Sequence, residues 1–580
     1  MKTIFSVIMG ICFSSMFAQV GIGTTNPEGA LDITSTNMGL VIPRVPSLEV
    51  LTDGNGNPPV NGTVIYDEFR NKTCFKINGK WACTGFDSTG SIVTEEEIPI
   101  ETNNCTYIKA STPGTSDTFG NLVKMSDDGN YLVVASPDED SNTTGINGDE
   151  TNNSAGSSGA VYVFVKSGAT WSQQAYIKAS NTNSNDYFGI SVSITSDGSR
   201  IAVGAYGESS NATGINGDET NNSASFSGAV YVFSRSGTVW SQEAYIKASN
   251  TDSFDYFGNS VSINSDGTRL VSTAYTERSN ATGVNGDETN NALSGAGAAY
   301  VFTRSGTTWS QEAYLKASNT ESGDYFGIHT SISGDGTRIV VGAHNEDSNA
   351  TGVNGNQADN SSTRSGAAYI FSRSGSVWIQ EAYIKASNTG GSDYFGQEVS
   401  LDNDGNTLAI SASSEDSNAT GIDGDETNNL AASSGAVYVF TRTGTSWSQQ
   451  SYMKPSNTDN QDFFGRSIQL SSSGDYLLVG ATGEDGYDSG FDGDETNNDV
   501  SGSGAIYLFN RSGSVWSQEH YIKSCNVNIN DSFGSACSID GTGSSIAVGA
   551  PGEDSNAAGI NGNMTDNSLS NSGAVYVLDN

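Results

Sequence analysis

A Phe-Gly pair recurs along this chain with its glycine at Gly120, Gly189, Gly258, Gly327, Gly396, Gly465 and Gly534, every interval being 69 residues. A glutamate keeps the same period at Glu139, Glu208, Glu277, Glu346, Glu415, Glu484 and Glu553, as does a tryptophan at Trp171, Trp240, Trp309, Trp378, Trp447 and Trp516. No insertion breaks the register. A fixed period of this kind marks an architecture in which each unit covers its neighbour's apolar face, and it overrides chain length as a guide to domain number.

Within the second repeat four runs have the β-branched and aromatic content of strands: Phe188 to Ile194, Arg200 to Ala205, Gly228 to Phe233 and Trp240 to Ala248. Ser196-Asp197-Gly198 joins the first two tightly and Ser236-Gly237 the last two, whereas about Tyr206 to Ser227 is a long polar loop. Ala-Val-Tyr-Val-Phe is apolar on both faces, as a strand sandwiched between two sheets must be. Four antiparallel strands, repeated seven times, predict an all-β, seven-bladed propeller over residues 105–580. The final repeat stops at Asn580, after its third strand. The Tyr-Ile-Lys-Ala-Ser that ends the other fourth strands stands ahead of the first Phe-Gly, in Cys105 to Ser111. The N-terminal strand is therefore expected to complete the seventh blade.

Phe188-Gly-Ile-Ser-Val-Ser-Ile, Ile201-Ala-Val-Gly-Ala205 and Gly228-Ala-Val-Tyr-Val-Phe233 resemble the FG-GAP repeat, the blade unit of integrin α-subunits and of many secreted bacterial proteins. Literal Gly-Ala-Pro survives only at Gly549-Ala550-Pro551, so the variant is loose. The resemblance implies an extracellular binding propeller. Integrin calcium loops, Asp-x-Asp-x-Asp-Gly-x-x-Asp between the first two strands, do not carry over. The equivalent turns here, such as Ser196-Asp197-Gly198, hold too few oxygens for the six to eight ligands calcium takes.

Ahead of the repeats, Lys2, the apolar run Ile4 to Phe13 and small residues ending at Ala18 read as a signal peptide, residues 1–18. Ile11 before Cys12 argues against a lipoprotein. Residues 19–86 read as a small β-rich module and 87–104 as a linker; no later run is long enough for a membrane helix. In the module, Asn78-Gly79 favours a two-residue hairpin turn that sets Cys74 opposite Cys83, at a separation suited to a disulfide. Cys525 and Cys537 are the candidate second pair, leaving Cys105 odd, and sequence leaves that connectivity open.

A formal net charge of −39 argues against nucleic acid as a partner, because phosphate binding needs Lys and Arg that are scarce here. Carboxylates gather in the long loop, where Asp149, Asp218, Asp287, Asp425 and Asp494 share one position. In two repeats that position becomes Asn356 and Asn563, and the carboxylate moves three residues on, to Asp359 and Asp566. These seven aspartates are the calcium candidates, with self-capped Asx-turns as the competing reading; no cofactor is required. Lys109, Lys178, Lys247, Lys316, Lys385, Lys454 and Lys523 in the fourth strand, with Lys166, Arg235, Arg304, Arg373, Arg442 and Arg511 in the turn before it, read as edge-strand cations that deter aggregation.

No nucleophile elbow, phosphate loop or zinc helix is present, so the chain reads as a non-enzyme. The expectation is a secreted or cell-surface, monomeric adhesion protein that binds an extracellular protein or glycan through the loop face. The rivals are a passive matrix component and a propeller enzyme acting on polysaccharide. The enzyme would need symmetry-breaking residues such as His329, His344, Tyr487 and Phe491, the two histidines being placed to meet at one face.

Overall fold

The computed structural model describes residues 105–579 and, before them, the backbone of the strands Val20–Ile22, Leu31–Ile33, Arg44–Val45, Val64–Asp67, Lys72–Ile77, Lys80–Phe86 and Ile92–Glu95. The chain divides into two units, Met1–Thr102 and Asn103–Asn580. The signal peptide expected at 1–18 lies outside the described residues.

In the first unit the last five of those strands form one sheet. Its central hairpin has the register the Asn-Gly turn calls for, with Ile77 opposite Lys80 and Cys74 opposite Cys83. The expected Cys74–Cys83 bond itself lies outside the described residues. Ile92–Glu95, within the stretch read as a linker, pairs antiparallel with Lys80–Phe86.

The second unit is a ring of seven four-stranded antiparallel blades, and blade 2 shows the plan. Its strands are Ser191–Ile194, Arg200–Ala205, Ala229–Ser236 and Val239–Ile246. The first strand begins later than its apolar run suggests, because Tyr187 and Gly189 take positive φ, 54° and 99°, and turn the chain inward. Left-handed backbone is cheap for glycine and strained for a bulky residue. First strands line the axis and fourth strands lie outermost.

Seven apolar clusters, one per interface, form the core. In blades 1 to 6 the motif phenylalanine sits edge-on to the two aromatics of its own third strand, as Phe188 does to Tyr231 and Phe233 at centroid distances of 5.4 and 6.1 Å, whereas in blade 7 Phe533 meets Tyr576 alone, Leu578 taking the second place. Neighbouring backbones approach closely at Gly228, φ 80°, where an added Cβ would lie 1.9 Å from the Phe257 carbonyl oxygen of the next blade.

Blade 7 comprises Ala536–Ile539, Ser545–Ala550, Ala574–Asp579 and, as its outermost strand, Cys105–Ile108. The expected closure is present, with Tyr107 opposite Tyr576. Cysteine pairing differs from the candidate reading: Cys105 bonds Cys525, and Cys537 is a buried free thiol. Cys537 lies on the innermost strand of blade 7, whereas Cys525 follows the fourth strand of blade 6 and faces the closing strand. In four other interfaces the corresponding contact is a hydrogen bond from a fourth-strand glutamine to a serine after the preceding fourth strand, as in Gln242 to Ser180 and Gln518 to Ser456. The ring thus replaces a hydrogen bond with a covalent one where its two ends meet.

Candidate functional site

The long loop between second and third strands is fixed by a buried polar network. In blade 2, Glu208 accepts hydrogen bonds from Lys247 Nζ at 2.7 Å, Tyr245 Oη at 3.0 Å and Asn181 Nδ2 at 3.0 Å, while Lys247 also donates to Ser227 Oγ at 2.8 Å. The Lys–Glu pair recurs in all seven blades at 2.5 to 3.1 Å. A buried charge needs such pairing to remain charged. Burial lowers the Lys247 pKa and the Glu208 carboxylate opposes that shift. Where blade 1 has Thr112 in place of the asparagine, Tyr162 Oη is left without a partner.

These lysines are therefore not edge-strand cations. They point inward, and the exposed edge of the fourth strand is covered by the loop itself. Asn216 N donates to Tyr245 O at 2.7 Å, Lys247 N donates to Gly214 O at 2.8 Å, and Ile215 bridges Ile246. The arginines also differ from expectation, lying within third strands and reaching across to the preceding blade. Arg304 and Trp309 both contact Glu243, each at 2.8 Å, and Arg373 and Trp378 contact Glu312. Glu243 is the extra residue of a β-bulge opposite Val232 and Phe233, and a bulge re-aims its side chain, here towards the neighbouring blade.

The seven loop aspartates lie at the surface. Asp218 Oδ1 accepts from Thr220 N at 3.0 Å and Thr220 Oγ1 at 2.7 Å, and Asp149, Asp287, Asp425 and Asp494 repeat the arrangement. These bonds hold the carboxyls below the usual range. Three residues on, a second turn uses Asn221 with Ser223, Asp359 with Ser361 and Asp566 with Ser568, while Asn356 and Asn563 serve the first. Asn and Asp oxygens cap such turns equally well, which accounts for their exchange. Among the described residues, no three His, Cys, Asp or Glu side chains converge to hold a metal ion.

The same face departs from seven-fold symmetry near the axis. The residue before each motif phenylalanine is Tyr187, Tyr256, Tyr325 and Tyr394 in blades 2 to 5, and the residue after the second strand is Tyr206, Tyr275 and His344 in blades 2 to 4. These rings form one continuous arc with successive centroids 5.1 to 5.9 Å apart, in the order Tyr187, Tyr206, Tyr256, Tyr275, Tyr325, His344, Tyr394. All seven are half-buried. Phe226 and Phe254, stacked at 5.9 Å, join it at Tyr256. Both phenylalanines have positive φ, where blade 4 has Arg364 and Ser392 and blade 3 has glycines Gly295 and Gly323.

Inside lies an axial channel of about 570 Å³. Ser193, Ser262, Ser331, Ser400 and Ser538 form most of one ring, each accepting a backbone N–H from the next blade. The two remaining positions are Lys124 and Gln469, bonded to each other at 2.9 Å. One level away His329 Nε2 lies 3.1 Å from Glu398 Oε2. The two histidines do not pair: His344 belongs to the aromatic arc, where burial and Arg364 lower its pKa to about 4. Tyr487 and Phe491 lie away from the axis, Phe491 pairing with the outermost strand of blade 6 and packing on His520 at 5.2 Å.

A seven-bladed ring with Phe-Gly turns and glycine-tight approaches between neighbouring blades defines a repeat propeller. The FG-GAP repeat model matches residues 171–233, 240–302, 309–371, 378–440 and 447–509, and the chain belongs to that family. Each match begins on one blade's fourth strand and ends on the third strand of the next, the same offset that makes the closure necessary. Residues 21–93 match a phage tail like trimerisation region. None of the curated proteins compared matches the chain. Among solved structures it is similar to the β-propeller domain of Myceliophteria thermophila Cps50 (Swd1), at 7% identity and TM-score 0.43 over 82% of this chain and 99% of that one. It is also similar to a putative 6-phosphogluconolactonase from Bacteroides uniformis and a periplasmic gluconolactonase from Pseudomonas aeruginosa. Each is 11% identical with TM-score 0.39, over 77% of this chain and 93% of the other.

Proposed function

We propose that the protein is a secreted or cell-surface recognition protein that binds an extracellular protein or glycan through its loop face. The carrying observation is where the repeats differ. Strand interiors, Lys–Glu pairs and loop turns are nearly uniform around the ring, whereas the aromatic arc occupies only blades 2 to 5. Rigid scaffolds commonly carry binding residues on their loops, and a half-buried row of rings offers area without much ordering cost. The resemblance of residues 21–93 to a trimerisation region favours three chains over the monomer expected from sequence, so that three faces act together.

A second reading has its own observation, the axial His329–Glu398 pair beside Lys124, which would suit a propeller enzyme acting on polysaccharide. Testing the whole chain against arrays of extracellular proteins and glycans separates the readings. Retention without product release supports recognition. Product formation abolished by His329→Gln supports the enzyme, and silence on both arrays supports a passive matrix role.

A further inference from the structure

Arginine and lysine in this propeller are almost all engaged inside it, in buried pairs, between blades or with backbone carbonyls. Two arginines differ, and both flank the same end of the aromatic arc. Arg466 is exposed, with no side-chain partner among the described residues, and lines a cavity of about 390 Å³ with Tyr394, His344, Gln397 and Phe463. Arg364 is also exposed and makes only a long contact, 3.4 Å from Nη1 to Tyr394 Oη. On a molecule of net charge −39, one unpaired and one weakly held guanidinium beside the Tyr394 end of the arc concentrate positive charge in a field that otherwise repels anions.

We infer that the arc and this cavity bind an oligosaccharide made mainly of neutral sugars and carrying one acid sugar, whose carboxylate pairs with Arg466 and Arg364. This rests on the recognition reading above and names its ligand class. Pyranose rings have an apolar face of C–H groups that packs on aromatic rings, and the arc offers a succession of such rings. A guanidinium binds carboxylate through two parallel N–H donors. The Asp and Glu of the surrounding loops bear against a chain charged at every residue, whether polyuronate or nucleic acid, because it would meet repulsion everywhere except at the two arginines.

The test uses the full chain on oligosaccharide pairs, each consisting of an acid-terminated member and the same oligosaccharide with its carboxyl reduced to an alcohol. The acid member is expected to bind at least about tenfold more tightly, the usual strength of a charged hydrogen bond. Arg466→Gln should erase that preference while leaving the melting midpoint unchanged, since its guanidinium makes no hydrogen bond or ion pair among the described residues. Tyr256→Phe should retain binding of both members and Tyr256→Ala should weaken both. Equal binding within every pair, or a preference that survives Arg466→Gln together with Arg364→Gln, overturns the inference, as does tighter binding of fully charged polyuronate. If protein ligands bind and every glycan fails, this inference falls and the recognition reading stands; if neither class binds, both fall.

Discussion

Replacing Lys247 with methionine tests whether the fourth-strand lysines hold the loops from inside. The side chain is fully buried and its Nζ lies 2.7 Å from Glu208 Oε2, a carboxylate that is itself 1% exposed. Methionine fills much of the volume but leaves that carboxylate with only neutral donors, from Tyr245, Asn181 and Ser210 N. Breaking one side of a buried pair costs about 3–5 kcal/mol. For a cooperative unit of roughly 480 residues the unfolding entropy is about 1 kcal/mol/K, so the midpoint should fall by about 3–5 °C. Calorimetry of Lys247→Met, Glu208→Gln and the double variant gives the coupling. The double variant should recover a good part of the loss, because no uncompensated charge remains. A Lys247→Met midpoint within about 0.5 °C of the parent, as for an ordinary surface change, refutes the reasoning.

Reduction, or Cys105→Ser, should lower the denaturation midpoint substantially. Chain entropy for a 420-residue separation sets an upper bound of about 6 kcal/mol. Peptide mapping should recover a Cys105–Cys525 link, and a Cys525–Cys537 link would contradict the closure described. A second set of aspartates, two residues before the motif phenylalanines, is buried, and desolvation raises Asp186 to about 7 and Asp255 to about 8. A raised carboxyl stabilises fully below its unfolded pKa near 4 and loses that contribution as pH rises through its folded value. The midpoint should therefore fall between pH 5 and 8, less steeply in Asp255→Asn, and a flat or rising profile would count against the burial. Melts in EDTA and in millimolar calcium should superimpose, because Asp218 and its six counterparts are capped locally. A calcium-dependent rise that Asp218→Ala reduces would restore a metal site.

The blade number, the strand order and the closing strand were legible because a 69-residue period and an offset end are properties of sequence alone. The inward lysines were not. A lysine in an outermost strand reads as exposed until Gly214 to Asn216 is seen lying along that edge and Glu208 beneath it. The cysteines misled because Cys525 and Cys537 are near in sequence but lie towards opposite edges of the blades, whereas Cys105 reaches Cys525 only once the ring has closed. The arc had a sequence signal, tyrosines at 187, 206, 256, 275, 325 and 394. Its meaning depends on folding, since Tyr187 meets Tyr206 across one blade's inner hairpin and Tyr206 meets Tyr256 only across a blade interface.

Recognition of a ligand on the loop face of blades 2 to 5 can be tested by comparing three proteins on one array of extracellular glycans and proteins. These are the parent, a loop-face variant carrying Tyr256→Ala and Tyr275→Ala, and an opposite-face variant carrying Val239→Asp and Val377→Asp in the exposed hairpins. Signals should vanish in the loop-face variant, persist in the opposite-face variant and be accompanied by no released product. Signals that survive the loop-face substitutions and disappear with the hairpin ones would contradict it.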